Sequence, residues 1–130
     1  MNAVQWPALP RLRRDLAFVV AACSLIFVFA SAGIPIPLYN TYRAQDGITN
    51  ADLGIASVGY FVAAATSLLV FGRLSNYVGR RPIAIIALAG TAIACLILTG
   101  MHDVLSLVAA RVMQGVACGL ASSGVGAYVV

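Results

Sequence analysis

Lysine and glutamate are both missing from the 130 residues; the charged set is eight arginines and four aspartates, 9% of the chain. With no glutamate and a single histidine, His102, few groups remain for general acid–base chemistry, and no Ser/His/Asp set is apparent. An enzyme is not expected. The three cysteines, Cys23, Cys95 and Cys118, have no C-x-x-C spacing and sit inside long apolar runs, so they read as small packing residues rather than a disulfide or zinc set. No metal or cofactor is expected. His102 beside Asp103 reads as a wetted turn, with a ligand or proton-relay role as the alternative. The net charge is +4, yet long apolar runs separate the arginines, so no basic face for nucleic acid can form.

What is abundant is apolar surface. The hydrophobic set makes up 62% of the chain, against about 45–50% in soluble domains, and the mean hydropathy is +0.97. Such a chain is not disordered, and it has too little polar surface to cover an ordinary soluble fold. Charges are absent from Leu16 to Tyr42, from Leu53 to Gly72 and from Pro82 to Met101, while Val104 to Val130 carries only Arg111. Since a helix rises about 1.5 Å per residue, roughly 20 residues cross the hydrocarbon of a bilayer. Lipid offers no partner to backbone groups, so the spans must be helices; barrel strands would be near ten residues long and alternate polar with apolar. The expected fold is all-α, a polytopic membrane bundle of about four helices over residues 16–38, 53–72, 82–101 and 104–130, after a tail at 1–15.

The breaks between spans carry helix-end signals. Pro35 and Pro37 in GIPIPLY weaken helix hydrogen bonding late in the first span and either end it or kink it. Thr49, with Asp52 three residues on, resembles a capping box using aspartate in place of glutamate. Pro82 suits a first turn, where its missing N–H is not needed. Asp103 is an N-cap candidate, and the short His102–Asp103 break predicts that the last two spans form a tight antiparallel hairpin.

Charge asymmetry sets the orientation. The tail and the connector between the second and third spans hold Arg11, Arg13, Arg14, Asp15, Arg73, Arg80 and Arg81, a net of +5; Arg43, Asp46, Asp52 and Asp103 on the other side give −2. The positive-inside rule places the tail and the connector in the cytoplasm, with a plasma membrane as host, or the inner membrane if the source is bacterial. The apolar run after Arg14 is too long for the h-region of a signal peptide and is expected to stay as the first helix.

Two polar features stand out against this background. Arg111 lies within the fourth span, and Gln114 shares its helical face three residues on. An intramembrane arginine either snorkels to the interface or faces a polar cavity in a coupling or substrate role. Gly115 and Gly119 follow as GxxxG, and Gly126 continues the small-residue spacing from Ser122, a pattern that permits close helix contact. The second feature is the connector GRLSNYVGRRP: Gly72 permits close approach, Gly79 a turn closed to bulky residues, and Arg80 and Arg81 anchor the cytoplasmic side. On physics alone it can be a simple positive-inside anchor, and it lacks the strand and spacing of a phosphate-binding loop.

The run from Gly72 through Asn76, Tyr77, Gly79, Arg80 and Arg81 resembles the signature loop of major facilitator superfamily transporters, which has glycine, three residues, aspartate, a basic residue, any residue, glycine and two basic residues between the second and third helices. Arg111, Gln114, Gly115 and Gly119 resemble that family's fourth-helix signature, and GIPIPLYNTY is similar to its proton-coupled drug and sugar efflux branches. The resemblance covers Leu16 to Val130. It implies a secondary transporter of small organic solutes, with the loop helping to latch two halves together. By the same resemblance, Arg111 and Gln114 would serve transport or proton coupling, Gly115 and Gly119 helix packing, and Gly72, Asn76, Tyr77, Gly79, Arg80 and Arg81 the cytoplasmic loop.

Two departures qualify that expectation. Asn76 stands where the family has its acid and Tyr77 where it has a basic residue, so the latch loses its negative charge. The family also has twelve helices in two halves with the substrate path between them, whereas about four are present here. The expectation is therefore the N-terminal part of a transporter, inactive alone. Its partners would be the bilayer, the missing C-terminal portion and, in the full-length parent, a small-molecule solute and protons. Two other readings are a non-transporting membrane adaptor or assembly subunit, and a four-helix small multidrug exporter acting as a dimer; the latter family relies on a first-helix glutamate that this chain lacks.

Overall fold

The computed structural model describes residues 11–72, 77 and 80–129, and the side chains within 15–72, 77 and 82–124. Among these residues the fold is all-α: α1 (Arg11–Gly33), α2 (Pro35–Asp46), α3 (Asn50–Phe71), α4 (Arg80–Thr99) and α5 (Val104–Val129). Of the expected tail, residues 1–10 lie outside the described residues, and 11–15 already belong to α1.

Among the described residues, four stretches are long and apolar enough to cross a membrane: Asp15–Asp46, Asn50–Phe71, Pro82–Thr99 and Val104–Gly124. Their outward surface is apolar: Ile26, Phe27, Leu69 and Leu105 are each more than two-thirds exposed. The chain is a multi-pass membrane protein whose helices form an incomplete polytopic bundle.

The first span runs on well past residue 38. Ile34 keeps right-handed helical angles (φ −54°, ψ −41°) between α1 and α2, so the path continues into Pro35, whose missing N–H costs it one backbone helix bond. The prolines therefore divide one 32-residue helical path without ending it. It stops at Gly47, which takes the left-handed conformation (φ 67°) that a side chain would strain. At about 1.5 Å per residue the path exceeds the thickness of hydrocarbon, so part of it tilts or projects.

α3 begins three residues before Leu53, because Thr49 and Asp52 form a reciprocal capping box. The Asp52 carboxylate accepts from the Thr49 amide at 3.0 Å and from its hydroxyl at 2.6 Å, while the Asp52 amide donates to Thr49 Oγ1 at 3.3 Å. α4 begins at Arg80 with Pro82 in its first turn. The connection from α4 to α5 is only Gly100–Asp103, and the Asp103 carbonyl accepts the first bond of α5 from the Leu107 amide at 3.2 Å.

α5 is the hub. Its largest interface is with α3, followed by those with α4 and α1. Two apolar clusters hold the bundle. One gathers Ile48, Ala56, Leu98, Met101, Leu107 and Ala110 where α2 ends, α3 begins and the α4–α5 hairpin turns. The other joins Val28 and Ala32 of α1 to Ala87 of α4 and to Cys118 and Ala121 of α5. Near the first cluster His102 Nδ1 of the hairpin lies 3.9 Å from the Asp46 carboxylate at the end of α2.

Candidate functional site

Proline carries no N–H, so Pro35 leaves the carbonyl of Ser31, four residues earlier, without its helical donor. A helix in lipid cannot leave such a group bare without a cost of several kcal/mol, on the order expected for an unsatisfied backbone carbonyl. The replacement comes from α5: Gln114 Nε2 donates to the Ser31 carbonyl at 3.2 Å. One residue on, Arg111 Nη1 donates to the Ala32 carbonyl at 2.7 Å and also to Gln114 Oε1 at 3.2 Å. Arg111 and Gln114 of α5 thus fill the place where the α1–α2 path is broken.

The guanidinium has a third neighbour. The Tyr39 hydroxyl accepts from Arg111 Nε at 2.9 Å and also from Nη2. Tyr60 of α3 stands on another side, its ring centre 5.6 Å from the guanidinium carbon, within reach of a cation–π attraction. Arg111 is 5% exposed and Gln114 1%. The Arg111 side chain is thus held inward by the Tyr39 hydroxyl, the Ala32 carbonyl and Gln114 Oε1.

Gly115 and Gly119 lie on the adjoining face of α5, against α3. A Cβ on Gly115 would strike the Tyr60 carbonyl and come within 3.0 Å of Ala63 Cβ; one on Gly119 would stand 2.7 Å from the Ala64 carbonyl and 2.6 Å from Ser67 Cβ. The close approach also lets Ser67 Oγ donate across the interface to the Val116 carbonyl at 3.1 Å. Deeper along the same seam Tyr60 donates its hydroxyl proton to Cys118 Sγ at 3.3 Å. The other two cysteines lie apart, Cys23 exposed and Cys95 half-buried.

Beside Arg111 an open groove of about 590 Å³ runs between α1, α2 and α3. Phe29, Tyr39, Tyr60 and Phe61 supply aromatic walls, and Ser57 and Arg111 supply polar groups. A groove of this size falls within the range that takes a small organic molecule.

The structure brings together Arg111, Gln114, Gly115 and Gly119 on α5. It places the connector residues elsewhere: Gly72 caps α3, its amide donating to the Leu68 carbonyl at 2.9 Å, and Tyr77 is exposed. Asn76 and Gly79 lie outside the described residues, as do the side chains of Arg80 and Arg81. Sequence reasoning missed Tyr39, Tyr60 and the carbonyls of Ser31 and Ala32. The available signal was Pro35, whose missing donor marks Ser31 as a carbonyl in need of a partner.

Residues 21–130 match the family model described as Major Facilitator Superfamily. The chain is 35% identical over 104 residues to Multidrug resistance protein MdtL of Klebsiella pneumoniae subsp. pneumoniae, a match that covers 78% of this chain and 26% of that protein. It is 33% identical over 103 residues to the Uridine/deoxyuridine transporter of Lactococcus lactis subsp. cremoris, covering 78% of this chain and 22% of that protein. The chain therefore spans about a quarter of the length of these relatives. No solved structure matches it.

Proposed function

Because the chain belongs to the Major Facilitator Superfamily, matched along residues 21–130, we propose that it is part of a membrane transporter that moves a small organic solute by alternating access, with proton-coupled efflux as the working mode. Membership sets it among transporters rather than enzymes. The names of two relatives, a multidrug resistance protein and a uridine/deoxyuridine transporter, support the solute class.

The observation that carries this reading is Arg111, buried to 5% exposure and bordering an open groove. An intramembrane arginine facing a cavity is a costly arrangement that transport pathways use. The guanidinium does not titrate in any accessible range, so its part in coupling is that of a fixed positive charge. Such a charge favours the ionised form of a carboxylate that comes within about 4–6 Å, and so promotes proton release there. Gln114 holds the guanidinium in place and seals the broken helix. Gly115 and Gly119 keep α5 close against α3.

The rest of the transporter would provide the other wall of the solute path, since the match covers only 26% and 22% of these two relatives. The arginine-bearing connector lies in the cytoplasm with the N-terminus in this reading, and the host is the plasma membrane. Asn76 and Tyr77 give the connector hydrogen-bonding capacity without the family's charged pair, so any latch there works without an acid at position 76.

The test is proton-driven flux by the full-length parent with Arg111→Ala at matched expression: flux should collapse, and unchanged flux would remove Arg111 from the mechanism. Residues 1–130 alone, reconstituted in vesicles, should give no saturable flux.

A further inference from the structure

We propose that the groove beside Arg111 binds the anionic group of a flat, ring-bearing solute, held by the guanidinium and flanked by Tyr39, Tyr60 and Phe61. The assignment rests on the transport reading for how the solute reaches the groove, and goes beyond it in naming the charge and shape of what is bound.

The first observation is a charge without a counter-charge. A guanidinium has five N–H donors. In this structure Nε and one N–H of Nη2 go to the Tyr39 hydroxyl, and the two of Nη1 go to the Ala32 carbonyl and Gln114 Oε1. Every partner is neutral. One Nη2 N–H has no acceptor among the described residues, and Arg111 is part of the groove wall. The chain's four carboxylates stand at helix ends: Asp15 in the opening turns of α1, Asp46 closing α2, Asp52 opening α3 and Asp103 preceding α5. None belongs to the groove lining. A buried cation so placed attracts an anion and repels a cation, and both effects are strong where water is scarce.

The second observation is the shape of the wall. Tyr39, Tyr60 and Phe61 come from two elements, and the Tyr60 and Phe61 rings stand at 77° to each other with centres 5.3 Å apart. Such an edge-to-face pair presents an apolar face and a ring edge to a planar guest. Ser57 contributes the one small hydroxyl among the groove's α3 residues. A carboxylate or phosphate on the guest would take the remaining N–H in a charge-assisted bond, while its ring lies along the aromatic wall.

The protein, purified into nanodiscs of zwitterionic phosphatidylcholine, can be titrated with three probes of one shape: 2-naphthoate, 2-naphthamide and 2-naphthylmethylammonium, with empty nanodiscs as the blank. Naphthoate should bind about tenfold more tightly than the amide, the size of a charge-assisted hydrogen bond in a partly dry site, and the ammonium should bind least. Arg111→Gln should bring naphthoate down to the amide's affinity. Since that variant alters a buried residue, Phe61→Ala, at a largely exposed wall position, gives an independent reading: it should weaken all three probes and leave their order unchanged. Equal affinities, or preference for the ammonium, would overturn the assignment and place the counter-charge on an acidic side chain of the transporter itself. Unaltered binding in Phe61→Ala would overturn the location. Transport of a neutral solute by the full-length parent with no preference for naphthoate here defeats this proposal alone, whereas naphthoate preference here without any flux by the full-length parent in vesicles defeats the transport reading alone.

Discussion

Tyr39 and Arg111 are 72 residues apart in sequence, yet one hydroxyl oxygen accepts from two nitrogens of the guanidinium, Nε at 2.9 Å and Nη2. The contact orients the arginine by a fork, fixing both the plane and the direction of the group. Tyr39→Phe removes the acceptor and little else. A hydrogen bond inside a membrane bundle is worth about 0.6–1.7 kcal/mol, so the variant should unfold a few degrees lower in detergent and still assemble. Flux by the full-length parent carrying Tyr39→Phe should fall more than the stability does, because the freed guanidinium can rotate toward the groove. A fall in melting temperature with full flux would make Tyr39 a structural residue only.

Glycine positions on α5 and α3 make opposite predictions for the same substitution. Gly115→Ala would press a methyl group onto the Tyr60 carbonyl, and overpacking of this kind costs about 1–3 kcal/mol. Gly54→Ala meets nothing within 4 Å, so only backbone entropy changes, which favours alanine in a helix by about 1 kcal/mol. Thermal unfolding of the two variants in the same detergent should move in opposite directions. A destabilised Gly54→Ala, or a neutral Gly115→Ala, would show that α3 and α5 do not pack with the geometry described.

Much of this was legible in the chain. Apolar runs between charges locate four membrane-length helices because lipid leaves the backbone no alternative to internal pairing. Thr49 and Asp52 could be read as a cap because capping is a local interaction over three residues. The end of the first span was not legible: Pro35 and Pro37 are compatible with both a stop and a kink, and what decides between them is distant. The Ser31 carbonyl finds its donor on Gln114, 83 residues away. Tyr39 was hidden for the same reason. Nothing in its neighbours marks it as a partner of Arg111 until α5 is docked, although Arg111 itself stands out as the one charge inside its run.

The cap at the start of α3 offers a local test. Thr49→Ala deletes both the hydroxyl that accepts from the Asp52 amide and the donor to its carboxylate. Amides in the first turn of α3 should exchange with deuterium several-fold faster, in line with the usual loss from an N-cap replacement. Amides in the middle of α3 should be unaffected, because packing against α5 holds that part. Uniform acceleration along α3 would mean that the cap supports the whole helix.

Pro35 and Gln114 should be energetically coupled although they are not bonded to each other. In the native chain Gln114→Leu strands the Ser31 carbonyl, since proline offers no N–H to replace the lost amide. In a Pro35→Ala background the new N–H at position 35 can take that carbonyl in the ordinary helical way. Gln114→Leu should then be milder by about 1 kcal/mol, the net value of one hydrogen bond. The loss of the Arg111–Gln114 contact is common to both backgrounds and cancels in the cycle. Four melting curves in one detergent give the coupling. If the two substitutions are additive, Gln114 is not in the bundle to repair a broken helix, and its position beside Arg111 must be explained by the groove alone.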